Sequence, residues 1–146
     1  MEPTGVLETC LYAPDLQAAE RFYSQVLRLR LLSRVAGRHV FFRCGHAVFL
    51  LFNPGHTGSI ATSVAGTPIP LHGAHGPGHV AFAVSEAELP AWRRRLEQEG
   101  VPIEAEVRWP EGGRSLYFRD PAGNSVELAS PEVWGLAAPT LPIRPG

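Results

Sequence analysis

The sequence predicts an α+β fold made of two βαβββ modules. Three observations carry that prediction. Strand-like and helix-like periodicities follow one another in the same order twice. A segment rich in Gly, Pro, Ser, Thr and His, at about 54–77, separates the two runs. Turn residues punctuate both runs at matching places.

The elements can be justified in order. Val6 to Ala13 alternates, with Val6, Glu8, Cys10 and Tyr12 on one face, which predicts a strand. Pro14 and Asp15 end it, and Asp15 is a suitable N-cap. Leu16, Ala19, Phe22, Tyr23, Val26 and Leu27 recur at helical spacing, so a helix runs to about Leu27. Strands are predicted at Arg30–Val35, His39–Cys44 and Ala47–Phe52, with a hairpin turn at Gly45-His46. The 54–77 segment lacks periodicity and reads as a linker or mobile loop. His79–Val84 is the next strand. A helix then starts after Ser85, takes Pro90 in its first turn and ends before Gly100. Strands follow at Ile103–Trp109, Arg114–Phe118 and Asn124–Ala129, and the Pro-rich tail 131–146 has room for a short turn through Trp134. The reading is one domain over 1–146, with module one at about 5–53 and module two at about 78–130.

Composition narrows the function. The 146 residues are 45% hydrophobic, enough for a sizeable core, and the net charge of -1 does not advertise nucleic acid or an anionic membrane. All 13 basic residues are Arg, which removes Schiff-base lysine chemistry and a Walker-type phosphate loop. Cys10 and Cys44 form no C-x-x-C motif, no run is long enough to span a membrane, and no signal peptide opens the chain; a cytoplasmic protein is expected.

The stretch FRDPAGNSVEL, Phe118 to Leu128, holds the centre of interest. Its turn residues lead into a strand with Ser125, Glu127 and Ala129 on the face opposite Val126 and Leu128. By itself Glu127 reads as a solvated carboxylate. The repeat changes that. Glu8 precedes Asp15 by the same interval as His79 precedes Glu86, and Gly45 precedes Phe49 as Gly123 precedes Glu127. Packed about a pseudo-two-fold axis, Glu8, Phe49, His79 and Glu127 are expected around one point. Three of the four are metal-ligand types. A divalent cation would offset the repulsion of two converging carboxylates, and Glu/His/Glu suits Zn, Mn, Fe, Ni or Co.

LETCLYAPDLQAAERFYSQVL, GPGHVAFAV and FRDPAGNSVEL resemble the vicinal oxygen chelate superfamily, over roughly residues 5 to 130. That superfamily includes glyoxalase I, ring-cleaving dioxygenases, fosfomycin-resistance transferases and bleomycin-resistance proteins. The resemblance implies curved mixed sheets around a cavity, and metal ligands at Glu8, His79 and Glu127. The expected function is a metal-dependent enzyme of lyase, isomerase or dioxygenase type, whose small substrate chelates the ion through vicinal oxygens, with Glu127 or Glu8 moving a proton. In that family the modules pair within one chain or across two, and the long 53–78 segment permits either; a homodimer with sites shared between chains is expected. The first-strand ligand of many members is His or Gln, where Glu8 stands here. Glyoxalase-like members have a carboxylate where the alignment puts Phe49, and many place a helix-ending Gly where Arg28 stands. The alternative function is metal-free sequestration of a small molecule, as in bleomycin-resistance proteins.

Other residues read more plainly. His72, His75 and His79 could cluster, but a Gly-rich loop with histidines is usually only a loop. Cys10 reads as a small buried thiol. Arg93, Arg94 and Arg95 read as a solvated helix face. Arg38, Arg43, Trp109 and Arg114 are candidates for an anionic or aromatic substrate, or for surface and core.

Overall fold

Asp15 does cap the first helix: its side chain accepts from the Ala18 N–H at 2.9 Å in the computed structural model, which describes residues 1–136. The chain runs β1 (Glu8–Tyr12), α1 (Leu16–Gln25), β2 (Arg30–Val35), β3 (His39–Cys44) and β4 (Ala47–Phe52). The last three strands pair antiparallel, and β1 lies parallel to β4, giving the order β1-β4-β3-β2. Alternation sends Leu11, Val40, Phe42, Phe49 and Leu51 to one face, where they are buried with Ala19, Phe22 and Tyr23 of α1. The Tyr23 ring lies 4.8 Å from Phe49 and 5.9 Å from Phe42. The other face carries Glu8, Cys10, Tyr12, Val48, Leu50 and Phe52.

The segment read as structureless is partly ordered. α2 (Pro54–Thr57) is capped by Asn53, whose side chain accepts from Gly55 N–H at 3.0 Å. β5 (Thr62–Val64) and β6 (Thr67–Ile69) then form a hairpin. Its turn holds Ala65 and Gly66 at φ of 49° and 82°. Three-residue strands are too short to show a period, and Ala-Gly is a weak signal for a turn that needs two positive φ values. His72 folds back on the open face of the sheet. Its ring sits 4.6 Å from Phe52, and its Nδ1 hydrogen-bonds the Tyr12 hydroxyl at 2.8 Å.

The second run repeats the first. β7 (His79–Ala83) leads through a 3₁₀ turn (Glu86–Glu88) into α3 (Leu89–Gln98), then β8 (Ile103–Arg108), β9 (Arg114–Arg119) and β10 (Ser125–Ala129). The Ser85–Glu88 capping box forms, and Pro90 lies in the first turn of α3. Gly100, at φ 68°, closes α3, with Val101 N–H donating to Leu96 O at 2.8 Å. The sheet order is β7-β10-β9-β8, again with one parallel pair. Both outer strands slip register at the same place, between Leu31 and Ser33 and between Ile103 and Ala105. α3 packs on β8 and β9 and buries Leu89 and Leu96.

The chain divides into two compact units: Met1–Gly78 with Asp120–Asn124, and His79–Arg119 with Ser125 onward. The Asp120–Asn124 loop is bonded into the first unit. Tyr23 OH donates to Asp120 at 2.9 Å, Asn124 Nδ2 donates to Tyr12 O at 3.1 Å, and Gly78 N–H donates to Asn124 Oδ1 at 2.7 Å. Among the described residues no helix is long and apolar enough to cross a membrane. A 3₁₀ turn at Pro131–Trp134 follows β10. The rest of the tail, 137–146, lies outside the described residues.

Candidate functional site

The second sheet builds a site from its loop outward. Asp120 Oδ1 accepts from the N–H of Ala122 at 2.9 Å and of Asn124 at 2.8 Å, and Gly123 takes φ 83°. This Asx-type turn sets where β10 begins. Glu127 then falls opposite Tyr117 on β9 and beside Ala81 on β7, while Ser125 falls beside His79.

Glu127 is 6% exposed, so the solvated reading of this residue fails. A buried carboxylate needs polar partners. Tyr117 supplies one by donating its hydroxyl, and the Tyr117 pKa is pushed up to about 12, by burial first and then by the Glu127 hydrogen bond and charge. His79 stands beside it: its Nε2 lies 3.4 Å from Glu127 Oε2. His79 Nδ1 is 3.2 Å from the Ser125 carbonyl oxygen. A carbonyl only accepts, so Nδ1 carries a proton and Nε2 is the nitrogen turned toward the carboxylate. With Nε2 unprotonated, its lone pair and the carboxylate oxygen would be complementary to a cation held between them. The donor set therefore fits a divalent metal, and the Nδ1–carbonyl bond is the outer support that such a ligand needs. The His79 and Tyr117 rings stack at 6.3 Å and 21°.

Glu8 opens β1 in the first unit, exposed, on the face it shares with Cys10 and Tyr12. Among the described residues no group of three His, Cys, Asp or Glu side chains gathers around one point. His79 and Glu127 make a pair.

The expectation for Phe49 is corrected. Phe49 is 1% exposed and packs against Tyr23, on the helix side of its sheet. The parallel ladders show why. Glu8 pairs with Val48, and Cys10 with Leu50; His79 pairs with Ser125, and Ala81 with Glu127. Leu50, not Phe49, is the structural counterpart of Glu127. Gly45 is the first of two turn residues, whereas Gly123 lies late in the five-residue loop 120–124, so aligning on glycine slips the register by one.

Tyr117 is the site residue that sequence reasoning missed. Alternation puts it on the face of Ser115 and Arg119, but only the hairpin register puts it opposite Glu127. The remaining candidates fill other roles. Arg38 donates to His39 Nδ1 at 2.6 Å and lies 5.8 Å from the Phe52 ring centroid. Arg43 Nε donates to Gly45 O at 2.7 Å, and Arg114 and Arg93 both pair with Glu106. Trp109 Nε1 donates to Ser115 Oγ at 2.9 Å. Cys10 is half-buried; burial first, and then its thiol, raises the Tyr12 pKa.

Comparison with known proteins follows the same lines. Residues 5–128 match the family model of the Glyoxalase/Bleomycin resistance protein/Dioxygenase superfamily. Metallothiol transferase FosB of Staphylococcus epidermidis is 29% identical over 130 residues, 88% of this chain and 82% of that protein. The putative ring-cleaving dioxygenase MhqE of Bacillus subtilis is 32% identical over 123 residues, which is 82% of this chain but 39% of that protein. The crystal structure of lactoylglutathione lyase from Agrobacterium tumefaciens superimposes with a TM-score of 0.86 at 43% identity, covering 93% of this chain and all (100%) of that one.

Proposed function

The chain belongs to the Glyoxalase/Bleomycin resistance protein/Dioxygenase superfamily, the vicinal oxygen chelate group, and from that premise we propose that it is a metal-dependent enzyme of lyase or isomerase type. Its substrate is a small molecule with oxygens on adjacent carbons. The observation that carries this reading is the His79–Glu127 pair, 3.4 Å apart, with the imidazole tautomer set by the Ser125 carbonyl. Glu8 is the third ligand in this proposal. It opens β1 as His79 opens β7, and the two strands hold equivalent registers against β4 and β10. Glu8 is supplied by a second copy of the chain in a homodimer.

A divalent ion held there would act as a Lewis acid on the substrate oxygens. The two carboxylates divide the remaining work. Glu127 is buried and held by Tyr117, so it serves as a fixed ligand. Glu8 is the carboxylate assigned here to take a proton from a carbon beside the oxygens and return it. The 43% identity to a lactoylglutathione lyase makes lactoylglutathione the first compound to assay. Leu50 at the counterpart of Glu127 favours a three-ligand set over a four-ligand one, and it also sustains the second reading, a metal-free binder of small molecules.

Calorimetric titration of chelator-treated protein with Zn, Mn, Ni, Co and Fe(II) separates the two readings. About one ion per chain is expected, with affinity lowered at least ~10-fold by His79→Ala. Failure of all five metals to bind would remove the enzyme reading and leave the binder.

A further inference from the structure

The second sheet's face continues past the His79–Glu127 pair into an apolar hollow. Along the parallel ladder the cross-strand neighbours are His79 and Ser125, then Ala81 and Glu127, then Ala83 and Ala129. Two residues of strand cover about 7 Å. One step beyond the carboxylate, the floor is therefore three alanines: Ala81, Ala83 and Ala129. Val133, Trp134 and Leu136, from the 3₁₀ turn and the residues after it, form the wall. The hollow measures about 330 Å³. Ala81 and Ala83 are exposed on a strand whose alternate residues Val80 and Phe82 are buried. In the single chain Trp134 is 80% exposed and Leu136 62%. Small side chains beneath, a large aromatic beside and open space between are what an apolar ligand group requires.

We infer that this hollow is the subsite for an apolar group, aromatic or branched aliphatic, carried by the substrate about 7 Å from its chelating oxygens. The assignment rests on the metal-site reading above. It is argued from continuity: the hollow shares its two strands and its face with Glu127, so a molecule anchored at the carboxylate and longer than about four bonds must lie on Ala81, Ala83 and Ala129 if it follows the strands. It narrows the substrate class from any vicinal-oxygen compound to one with an apolar arm. A leucine at position 83 would fill the floor, and loss of the Trp134 indole would remove the wall.

Two probes with one chelating head test it: acetohydroxamate and 3-phenylpropanohydroxamate, each titrated calorimetrically into protein loaded with the metal that binds best. Their paired oxygens are the same, and only 3-phenylpropanohydroxamate carries a ring far enough from them to reach the hollow. Wild type is expected to favour 3-phenylpropanohydroxamate by about tenfold or more. Ala83→Leu and Trp134→Ala should each reduce that preference to about twofold or less while leaving acetohydroxamate unchanged. Trp134 is exposed, so its variant is a safe second test if Ala83→Leu folds poorly. Equal affinity for the two probes in wild type, or a preference that survives both variants, overturns the subsite and leaves the metal reading standing. Failure to bind any metal overturns the metal reading and the subsite with it.

Discussion

Phe49 and His39 show how one position along a strand decides what a side chain does. Phe49 faces α1 and contacts Tyr23, so the ring is core. Phe49→Glu removes a buried ring, a loss of about 3 kcal/mol or more, and adds a buried charge. The expected outcome is an equal fall in melting temperature with and without bound metal. Recovery of that loss on adding metal would put Phe49 back at the site. His39 sits on the open face, 6% exposed and stacked on Phe41 at 3.9 Å. Arg38 can only donate, so His39 Nδ1 accepts, and Nε2–H donates to Ser33 Oγ at 3.2 Å. Burial first, then the charges of Arg38 and His56, hold the His39 pKa below its ordinary 6.5. The unfolded chain therefore takes up this proton before the folded one does. Stability from His39 is full above about pH 6.5 and falls as acid carries the protein from there toward the depressed folded value. Urea titrations between about pH 7 and pH 5 should show a smaller acid loss in His39→Gln than in wild type. Equal losses would assign the acid sensitivity elsewhere.

Element by element, the strands were legible because their alternation runs through five or six residues, and the helices because Asp15, Ser85 and Gly100 mark their ends in sequence. The β5–β6 hairpin was not, since its strands are too short to carry a period and its turn has no Asn-Gly or Asp-Gly signal. The His79–Glu127 pairing is legible in the resemblance of GPGHVAFAV and FRDPAGNSVEL to the family, not in the repeat, whose alignment on glycine put Phe49 in the place of Leu50. Tyr117 was not legible, because alternation gives a face and never a cross-strand neighbour. The end of α1 shows a sequence anomaly with a structural price. Arg28 takes φ 57°, and Leu29 N–H donates to Tyr23 O at 3.0 Å across it. A left-handed conformation costs a side-chain-bearing residue about 1–2 kcal/mol. Glycine removes that strain but gains entropy in the unfolded chain. Arg28→Gly should therefore stabilise by a net ~0.5–1 kcal/mol, read as a higher urea midpoint with unchanged slope. An unchanged or lower midpoint would show that the Arg28 side chain contributes enough to offset its backbone.

At the scale of the whole molecule, the repeat makes assembly the decisive question. Each module presents one face of its sheet to its own helix and keeps ligand-type side chains on the other: Glu8 in the first, His79 and Glu127 in the second. A site made from both faces can be closed by one chain or by two, and the proposal here is two, with each site taking Glu8 from one subunit and the His79–Glu127 pair from the other. Complementation distinguishes these cases. Neither a Glu8→Ala dimer nor a His79→Ala dimer contains a complete site. When the two chains are mixed, unfolded and refolded together, half of the dimers are expected to be heterodimers. In a shared arrangement, each heterodimer pairs one doubly damaged site with one intact site. Tight metal binding should return at about one ion per heterodimer, or about a quarter of the wild-type stoichiometry per chain in the mixture. In an arrangement closed within each chain, every site keeps one lesion and no tight binding returns at any mixing ratio. The second result, obtained with a wild-type control that binds metal after the same refolding, would retain the ligand set and reject its division between subunits.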